Sequence, residues 1–322
     1  MAPGKGGYRQ INKALNICAF DDYLEGQQTH LPKILDVEQI SPLVVRVLGQ
    51  NPGKFTLQGT NTYIVGSGSN RLLIDTGQGI PEWADLISST LADADISLSH
   101  VLLTHWHGDH TGGVPDLIRM YPDLANSIHK HTPSKSQKPI ADGQIFSVEG
   151  ATIQAVHSPG HSLDHMCFIL KEENAMFTGD NILGHGTAAV EHLSTLMTTW
   201  RNMQDRDCTK GYPAHGIVID DLRAKINIEL AQKQRRERQA LKTLQEMKRI
   251  ERNSGGRGTG SITLHDLVTT IHGAEVDEGV RKLALEPFME EVLRKLAEDG
   301  DVAFEIRGGV KKWFAIEMIM VE

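Results

Sequence analysis

From Ile34 onward the chain alternates between short apolar runs and turn-forming clusters. Leu43 to Leu48, Thr62 to Gly66 and Arg71 to Asp75 read as strands, the last two joined through Ser67-Gly68-Ser69-Asn70. Pro81 to about Leu91 reads as an amphipathic helix, with Pro81 in the first turn and Trp83, Leu86, Ile87 and Leu91 on one face. Val101 to Thr104 is then another strand, and the order strand, helix, strand is an α/β signal. Val114 to Tyr121 reads as a short helix. Residues 130 to 143, rich in Pro, Lys and Ser, read as a surface loop, with His129 and His131 solvated at its edge. Thr152 to His157, Asp164 to Leu170 and Ala175 to Asp180 give further strands, followed by a helix from about Ala188 to Asn202 and a strand end at Gly211 to Gly216.

The longest helical pattern covers residues 222 to 252, with Leu222, Ile226, Leu230, Leu241, Leu244 and Met247 on apolar faces. Asn253 to Gly260 has the composition of a linker. Beyond it, helices at Leu264 to Ile271 and Leu285 to Ala297 precede two strands around Gly308-Gly309, a hairpin signal that predicts a small winged-helix-like module. The expected organisation is an N-terminal extension (1–33), a main layered domain (34–221), a basic helix with its linker (222–260) and the module (261–322).

Composition narrows the class. The 322 residues carry a net charge of -8, which gives no global reason to expect nucleic-acid binding. Residues 222 to 252 depart from that balance, with ten Lys and Arg against four Glu. The exposed run Arg235, Arg236 and Arg238 is read either as a solvated face or as a docking surface for an acidic partner. Cys18, Cys167 and Cys208 are an odd, scattered set of buried thiols without a Cys-x-x-Cys pair, which argues against a disulfide framework or a thiolate zinc site. No apolar run approaches the ~20 residues of a bilayer span, and the N-terminus lacks a secretory apolar core, so a cytoplasmic protein away from the membrane is expected.

The chemistry gathers at strand ends. Directly after Val101-Leu102-Leu103 comes Thr104-His105-Trp106-His107-Gly108-Asp109-His110, with His105 and His107 on one side of an extended segment. His161, Asp180 and His215 follow at three later strand ends, and Asp75 ends an earlier one, where it is a turn cap or a working carboxylate. Five histidines and two carboxylates suit a pair of ions a few ångströms apart, zinc best, with manganese or iron also compatible. Two cations sharing a water would supply hydroxide near neutral pH, which implies hydrolysis.

Thr104 to Gly113, His161, Thr178-Gly179-Asp180 and Tyr212 to Gly216 resemble, in order and spacing over about residues 57 to 216, the motif set of the metallo-β-lactamase superfamily. The resemblance implies an α/β (α+β) chain folded as an αββα sandwich. It also implies one zinc held by His105, His107 and His161, a second by Asp109, His110 and His215, Asp180 bridging them, and Asp75 bracing the metal loop. Departures from other branches locate this chain within the family. Asp180 stands where antibiotic-hydrolysing members with a Cys ligand carry it. Only 34 residues lie between Asp180 and His215, too few for the inserted domain of the large nucleic-acid-processing branch. His107 replaces the Glu usual in iron-dependent redox members, and no glutathione-binding helical tail is seen. What remains is the branch with a C-terminal winged helix, which includes small endoribonucleases and fungal thioesterases. From Thr56 to the Gly308-Gly309 wing, the chain is similar to the atrochrysone carboxyl acyl-carrier-protein thioesterases. That likeness implies hydrolysis of a polyketide thioester on the carrier domain of a non-reducing polyketide synthase, releasing atrochrysone carboxylic acid. Asp109 would orient the attacking hydroxide, and His185 would line the pocket. Under the endoribonuclease alternative the same ions would act on RNA.

Overall fold

Strands β2 (Val44–Leu48) and β3 (Asn61–Val65) are buried at every position, because the sheet they belong to is covered on both faces. The computed structural model describes residues 31–134 and 136–316. Seven strands lie in sequential order in this sheet: β1 (Val37–Ser41), β2, β3, β4 (Asn70–Ile74), β5 (Ser97–Leu102), β6 (Ile128–Lys130) and β7 (Lys138–Pro139). The first four run antiparallel and the last three join in parallel. Val44, Tyr63, Leu72, Ile74 and Leu102 face a core shared with Phe146, Ile153, Phe168 and Phe177 of a second sheet. Their neighbours Val45, Ile64, Leu73 and Val101 face the opposite way. There they meet Trp83, Ala84, Ile87 and Leu91 of α1 (Pro81–Asp93), the helix expected from its apolar stripe. Each such side chain, fully buried, contributes roughly 1.5–3 kcal/mol.

The second sheet contains β8 (Ile145–Val148), β9 (Ala151–His157), β10 (Met166–Leu170), β11 (Ala175–Gly179) and β12 (Lys210–Pro213), in the order β12-β11-β10-β9-β8. Helix α2 (Gly108–Thr111) and helix α3 (Val114–Met120) follow β5, and α4 (Leu193–Gln204) follows β11. From Thr195 onward α4 belongs to the same compact unit as the two sheets and is tied to the loops that follow β9 and β11, so helices accompany both sheets of the α, β, β, α arrangement. Trp200 Nε1 donates to the Asn181 carbonyl at 2.9 Å, and Thr199 Oγ1 to that of Pro159 at 2.7 Å.

Two expectations are corrected. The helix expected from Ala188 begins at Leu193, because the preceding backbone is engaged elsewhere: Ala189 O accepts from His161 Nδ1 at 2.9 Å, and Glu191 N donates to Gly160 O at 3.1 Å. The expected surface loop at 130 to 143 starts on a buried strand residue, Lys130, and contains the buried Ile140. His129 is buried rather than solvated, its ring 5.3 Å from that of His100 and 5.1 Å from that of Phe146.

The described chain forms two compact units, one of residues 31–191 and 195–226, the other of 192–194 and 227–316. Helix α5 (Leu222–Asn253) supplies its first five residues to the former and the rest to the latter. In the second unit, β13 (Ile262–Thr263) leads into α6 (Leu264–His272), followed by α7 (Glu278–Val280) and α8 (Glu286–Glu298). A hairpin of β14 (Val302–Arg307) and β15 (Val310–Ala315) closes it, in the sheet order β13-β15-β14. Thr263 caps α6 by accepting from Asp266 N, and Gly308 and Gly309 both take positive φ (61° and 79°), as a primed hairpin turn requires. The Gly-rich stretch after α5 folds back on that helix, Gly258 N donating to Glu251 Oε1 at 3.2 Å. The N-terminal extension as far as His30, with Cys18, lies outside the described residues. Among described helices none is long and apolar enough to cross a membrane.

Candidate metal centre

Strand β5 ends at Leu102, and the chain continues through Thr104 and His105 into α2, which starts at Gly108. Two features hold this loop. Gly113 passes so close to β4's end that a Cβ there would lie 2.1 Å from the Thr76 carbonyl and 2.4 Å from the Trp83 ring, so no side chain fits. Asp75, with φ of 57° just after β4, accepts from Thr104 N at 2.8 Å, from Thr104 Oγ1 at 2.8 Å and from His110 Nδ1 at 2.8 Å.

These contacts set the protonation pattern of the histidines. An ionised carboxylate only accepts, so His110 carries its proton on Nδ1 and presents a lone pair at Nε2. Thr104 gives its hydroxyl proton to Asp75, so His105 Nδ1, 3.0 Å from Thr104 Oγ1, is the donor there and His105 Nε2 keeps its lone pair. His161 donates from Nδ1 to Ala189 O, which again leaves Nε2 free of a proton.

The candidate donor atoms converge in two adjoining groups: His105, His107, His161 and Asp180 in one, Asp109, His110 and His215 in the other, all buried. In the first, His105 Nε2 lies 2.8 Å from His107 Nδ1 and 3.2 Å from His161 Nε2, with Asp180 Oδ2 at 3.5 Å from His161 Nε2. In the second, Asp109 Oδ2 lies 3.3 Å from both His110 Nε2 and His215 Nε2. Asp180 Oδ1 stands 3.4 Å and 3.2 Å from those same nitrogens. Asp180 thus reaches both groups, one oxygen to each.

The donor set fits divalent metal. Asp109 Oδ1 and Oδ2, Asp180 Oδ1, His110 Nε2 and His215 Nε2 are buried without a hydrogen-bond partner despite their proximity. Lone pairs facing one another repel unless a cation lies between them. Bonds of ~2.0–2.2 Å in a tetrahedron place donors about 3.3–3.6 Å apart, close to the 3.2–3.4 Å observed in the second group. The charge balance agrees. Burial lowers the imidazole pKa of His215, but the carboxylates of Asp180 and Asp109 outweigh it and raise it to about 9, so without a metal Nε2 holds a proton at the point where the carboxylates call for positive charge, the place a metal ion would take. His107, buried beside His161, is lowered to about 4. Burial works against ionisation of Asp109, yet the neighbouring His110 and His215 hold it well below the usual carboxylate range.

One residue of the site was missed in the sequence. Buried His165 accepts from Asp180 N at 3.1 Å, and Gly179 gives it room, since a Cβ there would lie 2.4 Å from its Nε2. Only its spacing of four from His161 hinted at this. His185 belongs to neither donor group. It is half-buried in the loop after Asp180, where burial and Lys225 lower its pKa. His131 stacks on His157 at 4.2 Å, also apart from the donors. In the second unit Arg235, Arg236 and Arg238 are all exposed, and the guanidinium of Arg236 lies 5.0 Å over the Phe288 ring.

Residues 55–215 match the model of the metallo-beta-lactamase superfamily. An atrochrysone carboxyl ACP thioesterase of Cryptosporiopsis sp. (strain 8999) is 73% identical over 98% of this chain and 98% of its own length. One of Aspergillus novofumigatus is 70% identical over 97% and 96% respectively. Among solved structures, a beta-lactamase domain protein from Burkholderia ambifaria covers 89% of this chain and 95% of its own, at a TM-score of 0.69 and 15% identity. A metallo-beta-lactamase family protein from Thermus thermophilus covers 86% of this chain and 100% of its own, at a TM-score of 0.61 and 19% identity. The two structures share the fold, and the two relatives share the sequence nearly end to end. The chain belongs to the metallo-beta-lactamase superfamily.

Proposed function

We propose that this protein is a metal-dependent thioesterase that hydrolyses a polyketide thioester on an acyl carrier protein and releases atrochrysone carboxylic acid. The observation that carries this reading is the convergence of seven buried His and Asp donors into two adjoining groups, in a chain whose thioesterase-named relatives match it over almost their whole length. The carrier would be a domain of a non-reducing polyketide synthase, and the setting the cytoplasm.

His105, His107 and His161 would hold one zinc ion, Asp109, His110 and His215 a second, with Asp180 between them. Such ions supply Lewis acidity toward an acyl oxygen and lower the pKa of water. The residues do the positioning. Asp109 directs Oδ2 toward His110 and His215, and its Oδ1 accepts a hydrogen bond from the attacking water, fixing its approach to the thioester carbon. The water oxygen adds to the thioester carbon as the carbonyl electron pair moves onto oxygen, and the C–S bond breaks when that pair returns to re-form the carbonyl. A thiol of pKa ~8.5 is a good leaving group, so no strong acid is required at the sulfur. Asp75 keeps His110 in the Nδ1-protonated form and so acts on the site through that ring.

Purified protein supplied with zinc and offered an acyl-carrier thioester and a single-stranded RNA tests this. Thioester turnover that disappears in His107→Ala and on chelation is expected. RNA cleavage with no thioester turnover would overturn the reading.

A further inference from the structure

A cavity of about 360 Å³ opens beside the His105 to His110 loop, with Trp106, Thr111, Val114, Pro115, Lys130 and Gln137 in its walls. That size is in the range of small-molecule sites. Trp106 lies within the segment that carries four of the candidate ligands and Thr111 adjoins it, Val114 and Pro115 open α3, and Lys130 and Gln137 come from β6 and the segment after it. Trp106 stands between His105 and His107, its ring centroid 4.5 Å from that of His107, and Thr111 Oγ1 donates to the His107 carbonyl at 3.1 Å. Lys130 is 5% exposed, a rare state for lysine, and its Nζ lies 2.8 Å from Asp164 Oδ2. Asp164 sits three residues beyond His161, where its other oxygen accepts from Ser162 Oγ at 2.9 Å. The pair neutralises the lysine's charge but uses one of its three N–H donors. The cavity therefore combines an aromatic wall, an apolar edge at Val114 and Pro115, and hydrogen-bond donors at Lys130 and Gln137.

We propose that this cavity is the acyl-chain subsite and that it selects flat, conjugated, oxygen-bearing chains over saturated ones. A conjugated ring stacks on the indole of Trp106, and a carbonyl or phenolic oxygen takes a hydrogen bond from Lys130 Nζ. A saturated chain covers the same donors without satisfying them, which carries a desolvation cost. The substrate's identity as a thioester rests on the thioesterase reading, whereas the cavity's preference for flat oxygenated molecules does not.

The test uses 2,7-dihydroxynaphthalene, which has oxygens at both ends of a flat bicycle and no adjacent pair to chelate a metal. Calorimetric titration into the full-length, zinc-loaded protein is expected to show binding, weakened about tenfold by Trp106→Ala and by Lys130→Met. 1-Octanol is expected to bind at least tenfold more weakly than the naphthalenediol. Lys130→Met strands Asp164, so its melting curve is recorded alongside; should it not fold, Trp106→Ala decides. No binding, equal affinity in wild type and Trp106→Ala, or octanol binding as tightly would each overturn the proposal. In a kinetic arm, the ratio of kcat/KM for a naphthoyl-pantetheine to that for an octanoyl-pantetheine should fall about tenfold in Trp106→Ala. An unchanged ratio in an active thioesterase sinks the subsite alone. Trp106-dependent binding in a protein that turns over no thioester upholds the cavity's preference for flat oxygenated molecules and sinks the thioesterase reading.

Discussion

Asp180 and Asp75 are both buried carboxylates at strand ends, and they call for different experiments. Asp180 touches both donor groups, so Asp180→Ala should abolish activity and reduce bound zinc, measured by elemental analysis, while the circular dichroism spectrum stays native. Two retained metals with full activity would contradict the bridge. Asp75 acts through His110, so Asp75→Asn, which can offer an amide N–H where the carboxylate only accepted, should weaken metal affinity about 10–100-fold. His129 reports on the fold rather than the site. Burial, with His100 and Lys138 nearby, lowers its pKa to about 4, against ~6.5 in the unfolded chain. The unfolded state then binds the proton first, so this residue's contribution to stability is present above pH ~6.5 and is lost as pH falls toward 4. Urea titrations across that window should show a shallower pH dependence in His129→Gln than in wild type; equal slopes would remove His129 as a cause.

At the scale of elements, the strands were legible where a sheet covered on both faces calls for apolar runs, as in Val44-Val45, Leu72-Leu73-Ile74 and Val101-Leu102, whereas the polar start of β5 at Ser97, Ser99 and His100 gave no such signal. The seven donors were legible for a related reason: each terminates or follows a strand, where side chains from distant positions meet at one rim. What was not legible depends on partners remote in sequence. Lys130 reads as solvated until Asp164, 34 residues on, lies beside it. His129 reads as a loop histidine until Phe146 packs against its ring. The helical pattern at Ala188 is overridden because His161 claims the Ala189 carbonyl. Gly113 has no room for a Cβ beside the Thr76 carbonyl and the Trp83 ring, and Gly113→Ala should destabilise the protein by about 1–3 kcal/mol by forcing Thr76 and Trp83 apart. A denaturation midpoint equal to wild type would show that the loop shifts at no cost.

Across the whole molecule, net charge is negative, yet residues 222 to 252 carry an excess of six positive charges. Arg235, Arg236 and Arg238 are all exposed, and because Arg236 also lies over the Phe288 ring, the docking test is made at Arg235 and Arg238, which leaves that contact in place. Reversing both to Glu should raise KM for a carrier-bound thioester about tenfold, leave a pantetheine thioester little changed, and lose its effect at high salt. Equal changes for both substrates would mark the run as a solvated face. Cys167 and Cys208, the thiols among the described residues, bear on the chemistry in another way. Both are buried, and burial pushes the first up to about 12 and the second to about 11. A protein proposed to open thioesters thus keeps these two sulfurs as protonated thiols, out of reach of the acyl group. Thiol exchange onto them is closed, and hydrolysis avoids a self-acylated dead end. Iodoacetamide at neutral pH, followed by peptide mapping, should leave both unlabelled until the protein unfolds.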